Sequence, residues 1–286
     1  MKRHIAYYPL TATPFKRNLA YTEVAPCKQL ESFVRCFWGT EQPVVHRVRE
    51  NSAEIVVPDT CVDIIYYIDY TENKVTGGFC GINDHSFYAY SEEKQGHTGA
   101  TFAIRFFAWA AYAFADDSLK ATLNAFDEIG ARFEWLDRQL RPKLLELKAI
   151  REKISYTEQL LIWKMNHTRE NKIVNSAVNH ILTGKGALEV SDLAREAFVS
   201  SRQLERLFHE YLGITPKKLS NLVRYQYLWR DILYEPDFCI LDAVHRYGYT
   251  DQPHLLREFK RYHSIDVHSA KALAYKYVGN IQDILS

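Results

Sequence analysis

Arg202 and Arg206 lie four residues apart, with Gln203 beside them. On a helix that spacing stacks the two guanidinium groups on one face, a turn apart. Arg and Gln on the first turns of a helix carry the donors that read base edges in a DNA major groove. The free N–H groups and dipole of a helix N-terminus also favour phosphate. Leu204 and Phe208 share another face and belong to a core. A single arginine pair of this kind is usually an ordinary solvated face; here the pattern repeats. Leu204, Arg206, Phe208, Tyr211 and Ile214 recur 51 positions later as Leu255, Arg257, Phe259, Tyr262 and Ile265. Five identities at one offset mark two copies of one supersecondary unit. The base- and phosphate-contact candidates are therefore Ser201, Arg202, Gln203 and Arg206 in the first copy. In the second they are Asp251, Gln252, His254, Arg257 and Arg261.

Each copy has helix, turn, helix grammar. In the first, Val190, Leu193, Ala194 and Ala197 form an apolar helical face, Phe198-Val199 make a turn, and Ser200 offers an N-cap hydroxyl. In the second, Ile240, Ala243 and Val244 form the face, and Gly248-Tyr249 make the turn. Thr250 or Asp251 is the cap, and Pro253 is tolerable in the first helical turn. Between the copies, Pro216 starts a helix that can run to Tyr234, just before Pro236. Such a rod is roughly 27 Å long. That length can hold two recognition helices near one DNA turn apart, about 34 Å.

The first part of the chain reads differently. Ala53 to Val57, Cys61 to Tyr70, Val75 to Phe79 and Thr101 to Phe107 are apolar runs separated by turn residues, the pattern of an antiparallel β-domain. Gln29 to Trp38 has the spacing of a short helix. Leu136, Leu140, Leu144, Leu147, Ile150 and Ile154 make one stripe on a long helix, with Pro142 as a kink or late start. That stripe either packs on the β-domain or forms a dimer interface. His167 to Lys172 is polar and reads as a linker.

Trp38, Glu54, Tyr66, Arg105 and Trp109 are candidates to line a small-molecule pocket, with Arg105 meeting an anionic or polar group if it faces inward. The competing reading pairs Arg105 with a nearby carboxylate. His46, His85 and His97 form no His-x-His pair, and no zincin, phosphate-loop, nucleophile-elbow or dinucleotide motif is present. The expectation is no metal, no cofactor and no catalysis.

Composition sets the outer bounds. With 36 Lys and Arg against 35 Asp and Glu, net charge gives no support for a nucleic-acid partner, so that case rests on local pattern. The five cysteines are scattered, without Cys-x-x-Cys spacing, and read as reduced intracellular thiols. No leader-like or membrane-length apolar run is visible, and the expected location is the cytoplasm.

Residues 171–275 resemble the DNA-binding domain of the AraC family of bacterial transcription regulators. The resemblance is carried by Ser201 to Phe208, Gly213-Ile214-Thr215-Pro216 and Arg224, then by Gly248-Tyr249, Asp251-Gln252, His254 and Arg257 to Lys260. Phe198 stands where that family has a turn glycine, and Ser264 and Val267 replace a glycine and a proline. Phe33-Val34, Phe37-Trp38, Val57-Pro58-Asp59, Asp63 to Ile65 and Ile104 to Phe106 resemble the small β-domain of one subgroup. The resemblance implies an α+β protein. A cupin-like ligand-sensing β-barrel would occupy 1–115, a helical segment and linker 116–170, and an all-α double helix-turn-helix 171–286. The function it implies is a sequence-specific transcription regulator controlled by a small-molecule effector. Double-stranded DNA is the expected partner, with RNA polymerase and a second copy of the chain as further candidates. The alternative is a small-molecule-binding or catalytic barrel whose helical domain has lost DNA binding.

Overall fold

The computed structural model describes residues 7–10, 21–45, 54–89, 94–165 and 171–275, and of Glu54 the backbone only. The fold is α+β. Its strands are β1 (Thr22–Val24), β2 (Val34–Gly39), β3 (Val44–Val45), β4 (Glu54–Val56), β5 (Cys61–Asp69), β6 (Lys74–Cys80), β7 (Phe87–Ala89), β8 (Thr98–Phe107) and β9 (Phe126–Asp127). The helices are α1 (Ala108–Ala111), α2 (Gly130–Leu144), α3 (Ile150–Met165), α4 (Lys172–Thr183), α5 (Val190–Glu196), α6 (Ser201–Leu212), α7 (Pro216–Tyr234), α8 (Ile240–Arg246), α9 (Gln252–His263) and α10 (Val267–Tyr275).

The four apolar runs become β4, β5, β6 and β8. Seven strands form one antiparallel sheet in the order β1-β2-β8-β5-β6-β9, with β3 on the far end of β8; β4 and β7 pair separately. Alternation along the strands divides its faces. Phe37, Ile64, Tyr66, Phe79, Phe102, Ile104 and Phe106 are fully buried; Phe106 stacks on Phe133 of α2 and Phe79 packs tilted against it. The other face carries Cys36, Arg105, Asp63 and Cys80 in one cross-strand row.

Three expectations are corrected. The sheet is open, not a closed barrel: among the described residues its end strands, β1 and β9, do not pair with each other. Gln29 to Trp38 is not a helix; a turn at Leu30 leads into β2, which pairs with β8. A short apolar run fits both periods, and the long-range partner decides. The single long helix is two, α2 and α3, parted at Leu145–Ala149, while Pro142 lies inside α2. Leu136, Leu140, Leu144, Ile150 and Ile154 are buried in the core of this chain and Leu147 is half-buried, so the stripe packs within the chain. Of the predicted linker, 167–170 lies outside the described residues, as do His46 and Ala53.

The β-part and the helical part are joined by polar contacts. Gln226 of α7 donates to the Pro58 carbonyl (2.7 Å) and accepts from the Leu10 N–H (2.7 Å). Lys218, in the first turn of α7, is ion-paired with Asp84. The Leu119 N–H donates to the Glu210 carbonyl near the end of α6 (3.0 Å), and the Ser86 N–H to the Tyr262 carbonyl near the end of α9 (3.0 Å). The β-part thus touches the C-terminal ends of both matching helices of the repeat.

Candidate nucleic-acid interface

The first copy is α5, a turn and α6. α5 buries Leu193 and Ala194, and α6 buries Leu204, Leu207, Phe208 and Leu212. The Val199 N–H returns to the Ala194 carbonyl (3.0 Å), which closes the turn, and Ser200 Oγ caps α6 by accepting from the Gln203 N–H (3.2 Å). With the apolar face committed inward, Ser201, Arg202, Gln203 and Arg206 are exposed. Among the described residues no ion pair or hydrogen bond engages the side chains of Arg202, Gln203 or Arg206. Two unpaired guanidiniums therefore flank an amide on the opening turns of a capped helix. Glu205 is the acidic neighbour on the same helix.

Phe198 completes that turn at φ +55°. An L-residue in this region costs about 1–2 kcal/mol. In the second copy the corresponding residue is Gly248, at φ +66°, where no Cβ is strained.

The second copy is α8, a turn one residue longer, and α9. Asp251 is the cap and Thr250 is not: the Asp251 carboxylate accepts from the His254 N–H (2.7 Å). Asp251 is thus spent on the helix end, where its negative charge also opposes phosphate. Gln252 and Arg257 are exposed and unpaired among the described residues. His254 is half-buried, edge-on to Tyr249 with centroids 5.4 Å apart. Arg261 folds back on its neighbour; its guanidinium lies 4.6 Å above the Tyr262 ring and donates to Tyr262 Oη (2.7 Å). The 51-residue offset places Pro253 opposite Arg202, so the second copy lacks a partner for that arginine. The two faces are therefore unequal, with the denser set of donors on α6.

The departures at the end of the second copy leave its geometry intact. Ser264 takes φ +64° after α9, as Gly213 takes φ +76° after α6. α10 then starts at Val267, and Asp266 accepts from the Ser269 N–H (3.0 Å) in place of a proline start. At Gly213 a side chain would collide with Thr122 and the Leu119 carbonyl of the β-part, so close approach as well as φ requires glycine there.

The spacing between copies is fixed by α7, which has 19 residues and a Thr215 cap whose Oγ1 accepts from the Lys218 N–H (3.1 Å). One charged pair bolts the second copy to it. Arg224 donates to both carboxylate oxygens of Glu258 on α9 (2.8 and 3.0 Å), and Tyr249 Oη donates to the same carboxylate (3.0 Å). Both charged side chains are only 9% exposed. Arg224 also lies 4.4 Å above the Tyr249 ring.

The proposed pocket residues are not brought together as one set. Trp38 and Arg105 share the sheet face opposite the main core, and both bind Asp63. Trp38 Nε1 donates to Asp63 Oδ1 (2.8 Å), and Arg105 donates through Nε and Nη2 (2.9 and 3.0 Å). Arg105 is therefore paired with a carboxylate. Its Nη1 is buried without a hydrogen-bond partner, 3.8 Å from Asp59. Burial opposes the Arg105 charge, but Asp63 and Asp59 outweigh it and hold the guanidinium protonated. Burial pushes the Asp59 carboxyl up, against the pull of Arg105. Tyr66 points to the opposite, fully buried face. Trp109 follows the end of β8 and stacks on Phe107 (5.0 Å). The Glu54 side chain lies outside the described residues. The sequence does not single out Asp63 as the partner of Arg105, although a charge between Val62 and Ile64 in an apolar strand is a usable signal.

One further cluster has metal-type donors. Asp69, Glu72 and His97 place their donor atoms within 4.8 Å of one another. They are already satisfied: His97 Nδ1 contacts Asp69 (2.7 Å), Lys94 pairs with Glu72 (2.7 Å), and Asp69 Oδ1 accepts from the Thr71 and Glu72 N–H groups.

Residues 193–268 match the family model described as a helix-turn-helix domain, and residues 22–126 match a domain of unknown function, DUF6597. No curated protein matches the chain. Among solved structures, a transcriptional regulator with an AraC-type DNA-binding domain from Chromobacterium violaceum is 25% identical. That match covers 36% of this chain and 91% of its own, with a TM-score of 0.33. ToxT from Vibrio cholerae O395 is 11% identical over 87% of this chain and 100% of its own, with a TM-score of 0.40. No described helix is long and apolar enough to cross a membrane. The helix-turn-helix match spans α6 and α9, so the C-terminal part of the chain is a helix-turn-helix domain built of two such units.

Proposed function

We propose that the chain is a sequence-specific DNA-binding transcription regulator that inserts α6 and α9 into successive major grooves, under the control of a small molecule acting on its N-terminal domain. The observation that carries the reading is the exposed set Arg202, Gln203 and Arg206 on the opening turns of α6, whose side chains are unpaired among the described residues. Such donors are matched to guanine and adenine edges. Gln252 and Arg257 are the corresponding readers on α9. His254 stands at the rim of that face, while Asp251 and Arg261 serve the fold of the helix more than the groove.

Arg206→Ala tests this on duplexes selected from a random-sequence pool with the unaltered protein. The variant should lose about 1–3 kcal/mol of specific affinity. It should keep its thermal midpoint, because Arg206 is exposed and makes no ion pair or side-chain hydrogen bond among the described residues. Unchanged sequence preference would contradict the placement of α6 in the groove.

Effector control is supported by the contacts of Leu119 and Ser86 with the ends of α6 and α9, a direct mechanical path from the β-part to the reading heads. Because Arg105 is already neutralised by Asp63, an effector group there would have to share or displace that carboxylate.

A further inference from the structure

The turn of the first copy holds a large aromatic in a position that the fold does not reward. Phe198 is 95% exposed, so its ring is almost wholly in water. Its backbone is at φ +55°, a region that bulky L-residues rarely occupy. The chain supplies its own control. The matching turn of the second copy closes the same way, with the N–H of the following residue returning to a helix carbonyl, and uses Gly248 at φ +66°. The strain in the first copy is thus avoidable, and no packing offsets it. Strain of this kind persists where it serves a contact made outside the isolated fold.

The position says which contact. Phe198 is three residues before Ser201, the first residue of α6. Three virtual bonds span at most about 11 Å, comparable to the roughly 12 Å width of the major groove. When a recognition helix enters that groove by its N-terminus, the preceding helix crosses the backbone, and the turn between them lies at the groove edge. The apolar features there are thymine C5-methyl groups and deoxyribose carbons, and Phe is a side chain that contacts thymine methyls.

We infer that Phe198 is a DNA-contact residue of the first helix-turn-helix, which packs its ring on thymine methyl or deoxyribose at the groove edge. The inference rests on the DNA-binding reading above. It predicts opposite signs for folding and binding in one variant. Phe198→Gly relieves the backbone and should raise the thermal midpoint by roughly 2–4 °C. The same variant should bind the selected duplex about fivefold or more weakly, through loss of a buried ring. Phe198→Asn, which tolerates positive φ but lacks the ring, should follow the same pattern.

Both variants are measured beside unaltered protein and Arg206→Ala, by anisotropy on one duplex. A second duplex carries uracil in place of thymine. If unaltered protein loses affinity on the uracil duplex and Phe198→Gly does not, the contact is to the methyl. If only the ring substitution matters, it is to the sugar. If Phe198→Gly binds as well as unaltered protein while Arg206→Ala weakens, the inference is overturned and the DNA-binding reading stands. A lowered thermal midpoint in Phe198→Gly also overturns it, since the ring would then be serving the fold. If unaltered protein does not prefer the selected duplex, both fall.

Discussion

Glu258→Ala lowers the unfolding free energy by about 3–5 kcal/mol, because it strands a buried guanidinium. Arg224 donates twice to Glu258, and both side chains are 9% exposed. Without the carboxylate, Arg224 keeps, among the described residues, the Tyr249 ring and a 3.5 Å contact with Asn221, and Tyr249 Oη loses that acceptor. The effect is not a measure of what the pair adds over apolar packing. Taking two charges out of water is costly, so the double variant Arg224→Met/Glu258→Leu should recover most of the loss. Urea unfolding of the three proteins checks this; a Glu258→Ala loss under 1 kcal/mol would mean that water reaches Arg224. The pair matters for function because it ties α9 to α7. Glu258→Ala should therefore weaken DNA binding through the second copy even at temperatures where the chain stays folded.

Stability also falls with acid, through His263. Burial holds its imidazole down to a pKa of about 4. The ring stacks on Phe259 (4.9 Å), meets Trp229 edge-on (4.6 Å) and has Nδ1 2.8 Å from Tyr225 Oη. In the unfolded chain the ordinary value is about 6.5. Between those two values the unfolded state binds the extra proton and the folded state does not, so stability declines as pH falls from about 6.5 towards 4. The whole difference is roughly 3 kcal/mol, of which about 2 kcal/mol falls between pH 6.5 and 5, above the range where most carboxylates titrate. Denaturation curves at pH 7 and pH 5 read it directly. His263→Gln should flatten the decline in that window. A decline of equal size in the variant would assign it to other groups.

The helical part of this fold is legible in sequence because its determinants are local. Ser200 and Thr215 are caps whose targets lie three residues away, and Leu204, Leu207 and Phe208 mark a face by spacing alone. The sheet is less legible because its partners are distant. Val34–Gly39 has a spacing that suits a helix until β8 supplies the other half of the ladder. Closure is likewise a property of strands far apart in sequence; the barrel was implied by the resemblance alone, and an open sheet is found among the described residues. At the candidate interface, sequence placed Arg202, Gln203 and Arg206 on one exposed stretch. It did not separate Asp251 and Arg261, whose side chains are taken up by a helix cap and by Tyr262. The Asp63 partner of Arg105 needed the register of β5 against β8. The contact of Ser86 with the end of α9 joins residues with no local relation at all.

The central claim is that α6 and α9 read DNA sequence, and affinity measured against salt on two duplexes tests it most directly. One duplex is selected from a random pool by the unaltered chain, and the other is its scrambled counterpart. The account predicts that the selected duplex binds at least about a thousandfold tighter at physiological salt. It also predicts that log affinity falls linearly with log salt for both, as released counterions require. Equal affinity for the two duplexes, or no dependence on salt, would contradict it.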